Sequence, residues 1–170
     1  MTQLYLVRHG ETIDNARQLM QGQTQGCLND TGRQQAEALS EELKDEHFDA
    51  IVSSDLRRAI QTAEVLAAPH GLPVVTTPLL RERDWGDFTG RYSPDLKGLD
   101  FPENVESLEQ LLARAGRFLD FIRRNYPGQQ VLAVGHGIIN KAVQAVHYGK
   151  KMREVQRMKN AEVRVLDILS

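Results

Sequence analysis

Two short stretches of this sequence place histidine, and in one case arginine too, where an apolar run has to turn. The first is Leu4-Tyr5-Leu6-Val7-Arg8-His9-Gly10-Glu11-Thr12, which stops at Arg8-His9 and continues at once with glycine. The second, Val131-Leu132-Ala133-Val134-Gly135-His136-Gly137, repeats the idea far downstream. Histidine has an unperturbed pKa of ~6.5, so one ring nitrogen can be a free nucleophile near neutral pH. Arginines close by favour phosphate, to whose oxygens a guanidinium donates a planar pair of hydrogen bonds. Helix N-termini starting after Gly10 and Gly137 would add backbone N–H donors. Phosphoryl transfer needs mainly positioning and stabilisation of spread negative charge, and these residues suit both. A general acid for the leaving oxygen is also required. Glu82, in Leu79-Leu80-Arg81-Glu82-Arg83, is one candidate, and Glu11 competes by its proximity in sequence to His9.

The elements that must carry these groups can be read in order. Residues 3–7 are too short for a helix and suit a strand buried on both faces. Residues 12–17 begin a short helix and residues 18–30 form a polar loop. Thr31 and Gln34 make a capping-box pattern ahead of Ala36, Leu39 and Leu43 at helical spacing. Residues 50–53 suit a second strand. Ser54 or Asp55 then caps a helix to about residue 70, which Gly71 and Pro73 stop. Residues 74–77 suit a third strand. Residues 84–103, aperiodic and rich in glycine and proline, read as an ordered loop. A long helix over about 104–126 ends at Pro127-Gly128. A strand at 130–135, a helix at 137–148, a further short helix over 151–158 and a strand at 163–169 complete the chain.

Strands alternating with helices predict a layered α/β domain with a largely parallel sheet, covering residues 1–170. In open sheets of this kind ligands bind beyond the carboxyl ends of the strands. Arg8-His9, the run Ser53-Ser54-Asp55-Leu56-Arg57-Arg58, and Gly135-His136-Gly137 are therefore expected on one rim. A helical wheel does not choose between Arg57 and Arg58.

Composition excludes several classes. A chain of 170 residues can build one sizeable core, and its formal net charge of −2 offers no basic field for nucleic acid or an anionic membrane. The sequence shows no basic start followed by an apolar core and no apolar run near membrane-span length, so a cytoplasmic protein is expected. The one cysteine, Cys27, excludes an intrachain disulfide and fits a reducing compartment. It has no paired base in the pattern and is set aside as a nucleophile. His47, His70 and His147 lie near expected helix ends and read as structural. Lys150-Lys151 with Arg153 reads as a solvated face.

Along nearly its whole length the sequence resembles the histidine phosphatase superfamily, the phosphoglycerate-mutase-like proteins. Leu6-Val7-Arg8-His9-Gly10-Glu11-Thr12 is similar to that family's signature. Asn15, Gln21-Gly22, the segment from Leu28 to Ala36, and Ser53 through Ala63 follow in family order, as do Leu80-Arg81-Glu82, Trp85-Gly86, Gly135-His136-Gly137 and Asn160-Ala161. The resemblance implies a three-layer α/β/α sandwich. It implies that His9 is the nucleophile forming a phosphohistidine, and that Arg8, Arg58 and His136 surround the phosphate. Glu82 would protonate the leaving group and then activate water, while Asn15, Gln21 and Gly22 would line the pocket. It implies no cofactor and no metal, and two arginines in the pocket would repel a cation.

Two departures from the family pattern bear on specificity. Leu19 stands where the family usually has an arginine, with Arg17 a nearby substitute. The cap segment, about 84–103, is brief, which predicts a shallow, open pocket. A small cap disfavours a mutase, whose intermediate must stay bound while water is excluded. The expected activity is therefore metal-independent hydrolysis of a phosphomonoester on a small metabolite such as a sugar, nucleotide or α-ribazole phosphate. A phosphohistidine or phosphotyrosine protein phosphatase is the alternative; a phosphoglycerate mutase and an inactive phosphate-binding module are the others. A homodimer paired through the final strand is a further expectation.

Overall fold

The computed structural model describes residues 1–169. Among them a five-stranded sheet runs in the order β3-β2-β4-β1-β5, with β1 at Thr2–Arg8, β2 at Ala50–Ser54, β3 at Val74–Thr77, β4 at Gln130–Gly135 and β5 at Val163–Ile168. The pairs β1–β4, β2–β4 and β2–β3 are parallel, and only the edge strand β5 runs antiparallel to β1. Because β4 is inserted between β1 and β2, the two histidine-bearing turns emerge side by side, Arg8 in register with Gly135.

The alternation of strand side chains explains the layers. Leu4, Leu6, Val131 and Ala133 pack on one face with Leu111, Ala115, Phe118 and Ile122 of α4 (Leu108–Asn125) and Ile139, Ala142 and Val143 of α5 (Gly137–Tyr148). Val7, Leu132 and Val134 face the other way. There they meet Leu39 and Leu43 of α2 (Asp30–Leu43) and Ala59, Ala63 and Leu66 of α3 (Arg57–Ala67). The outcome is the three-layer α/β/α sandwich with a mostly parallel sheet. No helix among the described residues is long and apolar enough to cross a membrane.

Several element ends differ from the sequence expectation, each because a side chain is used elsewhere. Asn29, not Thr31, caps α2, its Oδ1 accepting from Gly32 N at 2.8 Å. Neither Ser54 nor Asp55 is the N-cap of α3; Leu56 takes that position without a side-chain bond. Ser54 instead accepts from Leu56 N and meets His136, and Asp55 pairs bidentately with Arg81 at 2.7 Å on both oxygens. The long helix starts four residues late, at Leu108, under a capping box made by Ser107 and Gln110, because Asn104 is bonded to Asp87. Leu108 is accordingly exposed. Over 151–158 there is only a turn of 3₁₀ helix, Met152–Glu154.

The segment 84–103 is ordered, as its composition suggested. Phe88 and Leu96 are buried, and Phe101 packs edge-on against Trp85 and Phe88. Arg83 lies over the Trp85 and Phe101 rings at 4.9 and 5.1 Å. Backbone bonds tie this segment to the loop after α1 (Ile13–Ala16): Met20 N to Arg91 O at 2.9 Å, Gly90 N to Met20 O at 2.7 Å and Ser93 N to Gln18 O at 2.8 Å. Brief as it is, the segment builds a wall.

Candidate active site

At the carboxyl ends of β1, β2 and β4 lies a cavity of about 530 Å³, lined in part by Arg8, Arg58, Glu82, Asn15, Gln21 and Gly22. His9 and His136 lie buried beside it, their ring centroids 5.0 Å apart. The strands bring together the residues the sequence pattern nominated.

His9 Nδ1 is 2.6 Å from Gly10 O. A carbonyl can only accept, so Nδ1 carries the proton and Nε2 holds the free lone pair. Burial, then the nearby Arg58 charge, pushes the His9 pKa well below the usual 6.5, outweighing the upward pull of the Gly10 bond. The imidazole is therefore neutral at neutral pH. The backbone under it is fixed from the far end of the chain. Asn160 Nδ2 donates to His9 O at 3.0 Å, and Ala161 N donates to Arg8 O at 2.8 Å. Ala161 adopts φ of 57°, a left-handed conformation rare for a residue with a side chain, to make that contact.

The cations are anchored by carbonyl oxygens. Arg8 donates to Met158 O at 2.8 Å, and Arg58 to Gly22 O at 2.7 Å as well as to Thr24 O and Gln25 O. Their Nε atoms stay buried without a protein partner, as does His136 Nδ1. Burial lowers the pKa of Arg8 to about 10 and of Arg58 to about 10, so both remain charged near neutrality. Arg57 is exposed while Arg58 is 1 % exposed, which decides between the neighbours. His136 touches Ser54 Oγ through Nε2 at 2.9 Å, and burial first, then Arg58, holds its pKa well below 6.5.

Glu82 is held by backbone. Its Oε1 accepts from Arg83 N at 2.8 Å and Ile139 N at 3.0 Å, and its Oε2 from Ile138 N at 3.0 Å. With two lone pairs per oxygen, Oε1 is filled and Oε2 keeps one free. Glu11 also lines the cavity, with Oε2 accepting from Asn29 Nδ2 at 3.1 Å.

The helix-end donors expected after the two glycines are committed inside the protein. Gly10 N donates to Thr62, Glu11 N to Gln35 and Thr12 N to Asn15. After Gly137, the N–H groups of Ile138 and Ile139 serve Glu82. These five N–H groups are therefore not available to an anion in the cavity. Asn15 uses Oδ1 in the capping box of α1. Gln21 Oε1 accepts from Thr12 Oγ1 at 3.0 Å. Gly22, at φ 54°, takes a conformation that glycine adopts without strain and offers its carbonyl to Arg58.

Sequence reasoning missed two arginines. Arg114 on α4 is buried, and it bonds Glu106 through two nitrogens and the carbonyls of Leu79, Arg81 and Glu82, clamping the turn that presents Glu82. Its place among Leu111, Ala115 and Phe118 on the apolar face was the available signal. Arg157 lines the cavity, whereas Arg17, the substitute considered for the missing arginine, does not. Ser54 touches His136, and Thr62 accepts from the N–H of Gly10 next to His9; both lie in the run already noted for its arginines.

A family model described as histidine phosphatase superfamily (branch 1) matches residues 4–169. The chain is 40 % identical over 141 residues to "Uncharacterized phosphatase PhoE" of Bacillus subtilis, covering 81 % of this chain and 72 % of that one. It is 36 % identical over 160 residues to "Metal-independent phosphoserine phosphatase" of Arabidopsis thaliana, covering 84 % and 67 %. Among solved structures, a mycobacterial glucosyl-3-phosphoglycerate phosphatase superposes with a TM-score of 0.87 at 30 % identity, over 97 % of this chain and 92 % of that one.

Proposed function

The chain belongs to branch 1 of the histidine phosphatase superfamily and is a phosphoric monoester hydrolase, and from that footing we propose that it cleaves small phosphorylated metabolites through a covalent phosphate on His9. His9 Nε2 attacks phosphorus as the ester P–O bond breaks. Glu82 gives its proton to the departing oxygen, then takes one from water as that water attacks phosphorus and the P–N bond breaks. Inorganic phosphate and a free alcohol result, and the enzyme regains its starting state. Arg8, Arg58 and His136 stabilise the charge on the three equatorial oxygens.

The observation that carries this reading is the 2.6 Å contact from His9 Nδ1 to Gly10 O, which leaves Nε2 as a neutral, buried nucleophile beside unpartnered donors. For His136 to offer an Nδ1–H to the phosphate from its unpartnered atom, Ser54 Oγ, 2.9 Å from Nε2, must be the donor of that pair. Glu82 protonates through Oε2, whose remaining lone pair is the free one. A small molecule is favoured over a protein side chain because the loop after α1, through residues 18–22, and the 84–103 segment, through Trp85 and Ser93, wall a cavity of about 530 Å³, within the usual ligand range of about 300–1,000 Å³.

The test is turnover of phosphate esters in excess chelator by the wild type and by His9→Ala. Chelator-resistant turnover abolished by the substitution supports the reading, and turnover surviving it removes His9 from the reaction. Glu82→Gln should slow esters with poor leaving groups more than aryl phosphates. Equal losses on both would take the acid role from Glu82.

A further inference from the structure

Four contacts that set the ends of β1 come from one stretch after α5. Met158 O anchors the Arg8 side chain at 2.8 Å, and Asn160 Nδ2 donates to His9 O at 3.0 Å. Ala161 N donates to Arg8 O at 2.8 Å, and Glu162 O accepts from Arg8 N at 3.1 Å. Residues 156–162 nevertheless form neither helix nor strand, so no regular ladder orients their peptide groups. Burial of Met158 in the core places the stretch, and the direction of its carbonyls is left to other hydrogen bonds.

Those bonds converge on Arg164 of β5. Its Nη1 donates to Gln156 O at 2.7 Å and to Gln144 Oε1 at 2.9 Å, and its Nε donates to Glu162 Oε2 at 2.9 Å. Glu162 Oε1 accepts in turn from Lys159 N at 2.7 Å. One guanidinium and its carboxylate thus grip the stretch at 156, 159 and 162. The other half of the grip runs through α5, where Gln144 Nε2 donates to Asn140 O at 3.0 Å and Asn140 Nδ2 to Val7 O at 3.0 Å. Because Arg8 N meets Glu162 O, the contacts close into a ring through Val7, Asn140, Gln144, Arg164, Glu162 and Arg8.

Asn140 is 0 % exposed and Gln144 3 %, on a helix that otherwise buries Ile139, Ala142 and Val143. Leucine at either place would bury more apolar surface with no polar atom to satisfy, and Asn140 Oδ1 has no partner. Two amides kept there against packing suit a ring whose geometry matters. We infer that Arg164 is a positioning residue for the reaction, holding residues 156–162 so that Arg8 and the backbone of His9 keep their places. This rests on the roles given to Arg8 and His9 above. Arg164 does not line the cavity, so it acts only through the stretch it grips.

Arg164→Met keeps the aliphatic stem and removes the grip. Below its melting transition this variant should lose tenfold or more in kcat, since small displacements of positioned groups are costly. KM should change less than threefold, because Arg58 and His136 keep their own anchors. Hydrogen exchange should quicken at least tenfold more at the amides of Arg8 and Ala161 than in β2. Gln144→Leu covers the case in which the first variant does not fold. Arg164 there keeps Gln156 O and Glu162, and leucine fills the place of the amide, so the melting point should hold while kcat falls threefold or more. A kcat within twofold of wild type in Arg164→Met, or in Gln144→Leu should the first not fold, would overturn the assignment. So would a fall in kcat with Arg8 and Ala161 exchanging no faster than β2. An error in the phosphohistidine reading shows separately, as turnover surviving in His9→Ala.

Discussion

Replacing Arg114 by methionine should damage both the stability of the protein and the placement of its acid. Arg114 meets Glu106 at 2.8 and 3.0 Å, with side chains only 11 % and 12 % exposed. Removing one partner of a buried pair costs about 3–5 kcal/mol, because the other charge stays buried. Glu106 keeps the Asp84 N–H at 3.0 Å, which argues for the lower end, about 3 kcal/mol. For a domain of this size that corresponds to a fall in Tm of about 6–12 °C. The carbonyls of Leu79 and Arg81 also lose their donor and that of Glu82 keeps only Gln23, so the Glu82 turn relaxes, and a misplaced acid should lower kcat by about 10–100-fold. Urea unfolding gives the first quantity and steady-state kinetics the second. Adding Glu106→Gln should restore part of the stability by removing the stranded charge. Burial alone would raise the Glu106 pKa, but Arg114 and Asp84 N–H more than offset it, leaving it below the usual 4.5. The stabilisation is thus present above that usual value and lost as pH falls through the lower folded value. A destabilisation under about 1 kcal/mol, the scale of an exposed pair, would refute the reasoning.

Other outcomes follow from the same geometry. His9 and His136 both have lowered pKa values, so their ring NMR signals should not titrate between pH 8 and 6.5; a midpoint at or above 6.5 for either contradicts the burial argument. By the same linkage, an unfolded histidine takes up a proton at ~6.5 while the folded one does not, so stability should decline as pH drops below that value. Ser54→Ala should lower kcat about tenfold and shift His136 toward a mixture of tautomers, read by ¹⁵N NMR; an unchanged tautomer would remove the hydroxyl from its positioning role. Gly32→Ala should destabilise by about 2 kcal/mol or more, since its Cβ would fall 2.0 Å from Glu11 O, whereas Gly116→Ala, with open space around it on α4, should stabilise by about 0.5–1 kcal/mol. Matching melting curves for the two would show that the Gly32 approach is not tight.

Much of this site was legible in the sequence because strand ends are. Short apolar runs ending in Arg8-His9 and Gly135-His136 left little choice of element, and the parallel connections then bring their ends to one rim. Arg57 and Arg58 could not be separated by pattern, since only the Gln21–Gln25 loop carbonyls reveal which guanidinium turns inward. The caps of α2 and α3 were misplaced because Asn, Ser, Thr and Asp all cap well, and the choice depends on long-range partners such as Glu11 for Asn29, His136 for Ser54 and Arg81 for Asp55. The phosphate role given to the helix donors failed for the same reason, as Glu82 sits far from Ile138 in sequence and takes its N–H first. Arg157 was invisible as a site residue because it belongs to an irregular segment without a motif of its own.

The central claim concerns one atom. Denaturing the enzyme in alkali within milliseconds of adding substrate, followed by mass spectrometry and ³¹P NMR of the digested protein, locates the phosphate. Because Gly10 O holds the proton on Nδ1, the expected product is phosphate on Nε2 of His9, labile in acid and stable in alkali. Phosphate on Nδ1, on a serine or threonine, or on no residue at all during rapid turnover would contradict it.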